Sequence, residues 1–180
     1  MKKLLLLTPL LLILASCGGW TTSDTATKAF TSTWFTMNIP SAWVEVEQKT
    51  LPATKNGKIV LALTSSEINA WFANNLVVLS EDLSEITTSV KYSITNYVRT
   101  TWTVQEFIKL NEEDFKFPDE DEWKLYTFEA KYSTQTPKRK FLQTAKVCDH
   151  KAYLITIWIN TDNANVAKYS RLLQSFNCTK

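Results

Sequence analysis

Apolar and polar positions begin to alternate at Trp34. Phe35, Met37 and Ile39 share one side of a strand, and Pro40-Ser41-Ala42 then turns the chain, a place that suits proline's fixed φ and missing donor. Trp43-Val44-Glu45-Val46-Glu47 continues as a second short strand. Lys55-Asn56-Gly57-Lys58 is a turn signal ahead of Ile59-Val60-Leu61-Ala62-Leu63, and Asn74-Asn75 leads into Leu76-Val77-Val78-Leu79. Both apolar runs are short and β-branched, which favours strand over helix.

The period changes over residues 82–100. Leu83, Ile86, Val90, Ile94 and Tyr97 recur three or four apart, which predicts a helix burying that face. Asp82 or Ser84 is placed to cap its start. Residues 104–110 return to strand, and an acid-rich loop is expected over 112–122. The last third is clearest. Tyr126, Phe128, Ala130 and Tyr132 share a strand face, Gln135-Thr136-Pro137-Lys138 turns, Phe141 to Cys148 runs back, and Asp149-His150 turns again. The strand from Ala152 to Ile159 is apolar on both sides, so it belongs in the middle of a sheet covered on both faces. Asp162 is placed to cap a final helix with a stripe of Val166, Tyr169, Leu173 and Phe176. These elements predict an α+β domain: an antiparallel β-sheet of about six to seven strands flanked by helices, including a C-terminal helix.

The first residues carry an address. Met1-Lys2-Lys3 is a short basic segment, Leu4 to Leu14 is apolar except for Thr8 and Pro9, and Leu14-Ala15-Ser16-Cys17 follows. The apolar run is too short for a spanning helix, which needs about 20 residues, and small residues precede the cut as in a secretory signal peptide. Leu-Ala-Ser-Cys resembles the lipobox of bacterial lipoproteins. That resemblance implies cleavage before Cys17 and lipid on its sulfur, which places the protein on the outer face of a bacterial membrane. The chain then divides into a signal peptide (1–16), a lipidated cysteine with a Thr/Ser-rich flexible tether (17–33), and one domain (34–180).

Charge and cysteine content narrow the class. The chain has 20 Lys and Arg against 18 Asp and Glu. Removing Lys2 and Lys3 with the leader leaves a balance, which argues against nucleic acid as a partner. Beside Cys17 stand Cys148 and Cys178. An even pair in an exported protein suggests a disulfide, the alternative being two free thiols.

Phe35-Thr36-Met37-Asn38-Ile39-Pro40-Ser41-Ala42-Trp43, with the closing Leu172-Leu173-Gln174-Ser175-Phe176, resembles the PsbP/DcrB-like fold family. The resemblance implies an antiparallel sheet with helices on its faces. That family includes a photosystem extrinsic subunit, a Ran-binding protein and bacterial envelope lipoproteins. It implies docking on another component and supplies no catalytic residue set.

Glycine is scarce, 3 residues beside 7 tryptophans, where average usage of about 7% would give about 13 glycines. Trp20, Trp34, Trp71 and Trp123 stand in turn-like surroundings, where glycine's freedom is useful. Two readings stay open. These four are glycines encoded by UGA in a recoding lineage, or they form an exposed aromatic surface for binding.

Candidate chemistry is thin. His150, the sole histidine, lies in a predicted turn, and no nucleophile, base and orienter are arranged for catalysis. Seven carboxylates fall within residues 112–122; of these, Asp119, Glu120, Asp121 and Glu122 form a candidate divalent-cation site, whose plain alternative is a solvated loop. Lys138-Arg139-Lys140 forms a basic tip. The expectation is a non-catalytic, membrane-anchored docking module that needs no cofactor and has a protein or envelope polymer as partner. The alternatives are a small-ligand or cation-binding module and, less favoured, an envelope hydrolase.

Overall fold

The computed structural model describes residues 26–51, 53–69 and 72–179. Cys17, Trp20 and Trp71 lie outside the described residues. The elements run β1 (Thr27–Thr31), β2 (Phe35–Pro40), β3 (Val44–Glu45), β4 (Lys58–Asn69), β5 (Phe72–Asp82), α1 (Ser89–Thr103), β6 (Gln105–Lys116), β7 (Glu122–Lys131), β8 (Arg139–Cys148), β9 (Lys151–Ile159), α2 (Val166–Gln174) and β10 (Asn177–Cys178). A seven-stranded sheet has the order β3-β4-β5-β9-β8-β7-β6, and β1-β2-β10 form a small second sheet. The pairs are antiparallel. The chain is α+β, as the sequence predicts.

β9 lies fourth of the seven strands, where its two apolar faces require it. Leu76↔Ile157 and Val78↔Ile155 set its register with β5, and period two then aims every second residue at one core. That core holds Tyr153, Ile155, Ile157 and Ile159, covered by Tyr169, Leu172 and Leu173 of α2 and by Phe35, Met37 and Ile39 of β2. The other face takes α1, with Tyr92 against Ala145 and Ala152 and Tyr97 stacked on Tyr126 at 3.9 Å.

Several boundaries differ from the sequence reading. Residues 27–31 pair with β2, Thr27 opposite Pro40, so the folded part begins before Trp34. The helix expected from residue 82 starts at Ser89 and is capped by Thr88, whose side chain accepts from Lys91 N. Its buried residues are Ser89, Tyr92, Ser93 and Asn96, while Ile86 and Ile94 are exposed. The inward polar groups have partners: Ser93 Oγ donates to Lys124 O at 3.1 Å and Asn96 Nδ2 to Tyr92 O at 3.0 Å. Burial therefore costs them little, and the apolar spacing there does not mark the core. The acid-rich loop shrinks to 117–121, because Glu112, Glu113 and Asp114 lie on β6 and Glu122 on β7. The residue before α2 is Asn165 rather than Asp162.

Trp123 corrects a further expectation. It lies in β7, fully buried, with its ring 4.9 Å from Phe117 and 5.1 Å from Phe115. Trp34 sits exposed in the β1–β2 turn. Neither takes a positive φ; the non-glycine residues described with one are Glu106, Glu120 and Asp149. The backbone reason for glycine is therefore absent at Trp34 and Trp123. Trp123 also cannot belong to an exposed aromatic surface. Gly57 does need to be glycine: its φ is +73°, and a Cβ there would stand 2.2 Å from Ser80 O.

The sheet has two edges, β3 and β6. β3 is two residues long. β6 is interrupted by two register shifts against β7. At one end of the sheet, Cys148 and Cys178 are bonded, with a Cα–Cα distance of 5.8 Å. The bridge ties the end of β8 to β10, which pairs with Phe35 and Thr36 of β2. Its sequence separation is 30 residues, and closing a loop of that size removes about 3–4 kcal/mol of unfolded-state entropy at 25 °C. Cys148→Ser/Cys178→Ser is expected to lower unfolding free energy by about 2–4 kcal/mol with an unchanged far-UV spectrum, measured by urea denaturation.

Candidate functional site: a buried lysine beneath the acidic loop

Period two along β8 places Leu142, Thr144, Lys146 and Cys148 on the same side of the strand. Lys146 is therefore aimed into the protein, and its side chain is 2% exposed. A lone ammonium there would be prohibitively costly to desolvate. The 117–121 loop supplies its partners. Phe117 N donates to Asp121 O and Glu120 N to Phe117 O, at 2.9 and 3.0 Å, and Glu120 takes φ 64° to close the turn. Asp119 then meets Lys146 Nζ through both oxygens at 2.8 and 2.7 Å, and Asp121 Oδ2 meets it at 2.8 Å. The Phe117 ring lies 4.7 Å from the ammonium, a cation–π contact.

The same network reaches α1. Ser89 Oγ donates to Asp121 Oδ2 at 2.5 Å and accepts from Val147 N at 2.9 Å. Ser89 is the first residue of α1, so the ion cluster fixes where the helix starts. Burial works to raise the Asp119 carboxyl, but the hydrogen bonds and charge of Lys146 outweigh it and hold the group below its ordinary value. Ser89 is 1% exposed, and its hydroxyl is spent on an ion-paired carboxylate. The arrangement is suited to fixing a loop and a helix start, not to activating a nucleophile.

The four carboxylates expected to gather as a cation site do not gather. Asp119 and Asp121 turn inward to Lys146, Glu120 pairs with Lys116 at 3.2 Å, and Glu122 lies exposed on β7. Among the described residues, no group of three or more His, Cys, Asp or Glu side chains is placed to hold a metal ion. An internal cation occupies the position the sequence suggested for an external one. On the outer surface of β6, Lys124 bridges Glu112 and Asp114 at 3.1 and 2.6 Å. Hydrogen bonds from Lys109 and Lys124 hold the Glu112 carboxyl low. Such exposed pairs contribute little each.

His150 is exposed in the β8–β9 turn. A groove of about 540 Å³ lies between the β1–β2 turn and the large sheet, lined by Trp34, Lys58, Ser80, Lys151 and Tyr153. Lys151 stands 5.5 Å from the Trp34 ring centre and pairs with Asp82. Burial, and next the Asp82 charge, push the Tyr153 hydroxyl up to about 12. On α1, Ile94, Val98 and Trp102 are all exposed and fall four apart, which lines them up along the outer face.

Sequence reasoning missed Lys146 and this outer stripe. Period two along the strand from Phe141 to Cys148 puts Lys146 on the side of Leu142, a usable signal. The stripe was hidden because Ile94 was read as inward.

No family model matches the chain, and no curated protein does. Solved structures do. The cyanobacterial PsbP (CyanoP) of Synechocystis superposes with a TM-score of 0.61 at 14% identity, over 92% of this chain and 99% of that one. The Ran-binding protein Mog1p of Saccharomyces cerevisiae gives 0.53 at 8% identity, over 84% and 95%. A Bacteroides thetaiotaomicron protein gives 0.51 at 13% identity, over 85% of this chain and 48% of its own. The chain therefore has a PsbP-like fold.

Lys146 gives an asymmetric prediction. Asp119→Asn/Asp121→Asn leaves a buried ammonium without a counter-charge and is expected to cost about 3–5 kcal/mol. Lys146→Met leaves two carboxylates that are 40% and 36% exposed and can hydrate, so it is expected to cost clearly less. Urea denaturation of both variants checks the order. Because the folded Asp119 carboxyl is held low, its contribution is full above the unfolded value of about 3.9 and is lost as pH falls below it. Acid titration should therefore destabilise the wild type below about pH 4 more than Lys146→Met.

Proposed function

We propose that this protein is a lipid-anchored, extracytoplasmic docking module of a bacterial cell envelope, without catalytic activity. The observation that carries the reading is Leu14-Ala15-Ser16-Cys17 behind a short apolar run, followed by a domain whose Cys148 and Cys178 are bonded. Disulfides persist in oxidising, exported settings. No helix among the described residues is long and apolar enough to cross a membrane, so attachment falls to the lipid on Cys17. The PsbP-like fold supports a docking role by analogy, since its neighbours include a protein described as Ran-binding. The surface supports it too. The large exposed apolar side chains of α1, Ile94, Val98 and Trp102, lie along its outer face, as on a helix that has a partner to meet. The partner is a protein or polymer of the envelope. Of the carboxylates that favoured a cation-binding role, Asp119 and Asp121 are engaged by Lys146 and Glu120 by Lys116.

Cys17→Ser in the native cells is the test. The wild type is expected in the membrane fraction with a peptide mass that shows cleavage before an acylated Cys17, and the variant in the soluble fraction or as unprocessed chain. An unmodified Cys17 in the wild type, or a variant that stays on the membrane after processing, would overturn the anchoring.

A further inference from the structure

The strand pairings divide the domain into two unlike ends. Residue 26 enters beside Ser41, whose N–H donates to Ala26 O at 2.9 Å. Three residues later Val44 pairs with Thr64, and β4 runs on past that point to Ile68, opposite Ala73. The same end of the sheet receives the finish of β9, where Ile159 pairs with Lys140, and the β7–β8 turn, where Ala130 pairs with Arg139. It also receives the junction of α1 with β6, since Gln105 pairs with Lys131. Three exposed apolar or aromatic side chains stand there: Ile68 at 72%, Tyr132 at 80% and Trp102 at 85%. Lys131, Lys138, Arg139 and Lys140 stand among them, with Glu106, Glu129 and Asp162 as the facing acids. The opposite end carries the 117–121 loop with Asp119, Glu120 and Asp121, the Asp149-His150 turn, and Glu85.

We propose that the end holding Ile68, Trp102 and Tyr132, with Lys138, Arg139 and Lys140 at the start of β8, rests on the anionic bilayer that carries the lipid of Cys17. The inference rests on the anchoring proposed above. Eight residues lie between Cys17 and Ala26, and the nine steps of chain from one to the other reach, fully extended, at most about 30 Å. A domain of this size is about 40 Å across. The chain therefore holds the residue-26 end next to the membrane and keeps the acidic end away. Charge acts in the same sense: anionic headgroups attract the basic residues at the start of β8, whereas the carboxylates of the 117–121 loop are already paired with Lys146 and Lys116. Tyr and Trp settle at the boundary of water and hydrocarbon, where the ring is buried and its polar atom stays wet.

The full acylated chain, carrying Tyr132→Cys or Glu120→Cys, is labelled at that thiol with a polarity-sensitive fluorophore and bound to phosphatidylcholine vesicles with or without phosphatidylglycerol. The expected result is a blue shift at position 132 that strengthens with phosphatidylglycerol, and aqueous emission at position 120. Lys138→Glu/Lys140→Glu is expected to weaken the docked population by tenfold or more, from about fivefold per basic residue, while the chain still floats with the vesicles and keeps its circular dichroism. Lys55→Glu, in the turn at the opposite end, should change nothing. Aqueous emission at position 132 in floating protein overturns the docking and leaves the anchoring standing. An equal loss with Lys55→Glu also overturns it, because net charge alone would then be responsible. Failure of the wild-type chain to float removes the anchoring and the docking with it.

Discussion

A positive charge held inside the domain sets the geometry of one whole end of it. Lys146 cannot be buried alone, so Asp119 and Asp121 must fold inward to reach it. That requirement closes the 117–121 loop, seats Phe117 under the ammonium and on Trp123, and starts α1 where Ser89 meets Asp121. Loop, helix and two strands are thus located by one desolvated cation. The cost of breaking such a pair from one side exceeds what the pair contributes as a whole, which makes it a device of specificity more than of stability.

The rest of the fold follows from β9. A strand apolar on both faces needs a cover on each, and α1 supplies one while α2 with β2 supplies the other. The structural likeness to the cyanobacterial PsbP extends over 92% of this chain at 14% identity. The disulfide then fastens the small sheet to the large one, so the chain between the C-terminal helix and its last strand cannot drift from the core.

Much of this was legible in the chain. Alternation identified β7, flanking turn signals bounded β8, the doubly apolar β9 announced the sheet's centre, and the even cysteine pair suggested the bridge. The failures have physical causes. α1 buries Ser89, Ser93 and Asn96 because backbone and carboxylate partners await them, so hydrophobic spacing pointed to the wrong face. β6 was cut short because its second half is acidic, yet an edge strand bears charge on the side that no neighbour covers. The acidic run read as a cation site because the cation it serves lies 25 and 27 residues further along the chain, where no local pattern connects them. Trp123 read as a turn from its acidic neighbours, though its side faces the core with Leu125.

The two edges of the large sheet have a consequence for how copies of this protein live together. If the proposed lipid anchor is present, it confines molecules to a plane, where they meet far more often than in solution and with matching orientation. Sheets held that way are prone to continue into one another through free backbone groups. Here one edge is two residues long, and the other is bulged and lined with Lys109, Glu112, Glu113, Asp114 and Lys116. Neither offers a flat uncharged row to a neighbour, so both edges resist continuation into the sheet of another copy.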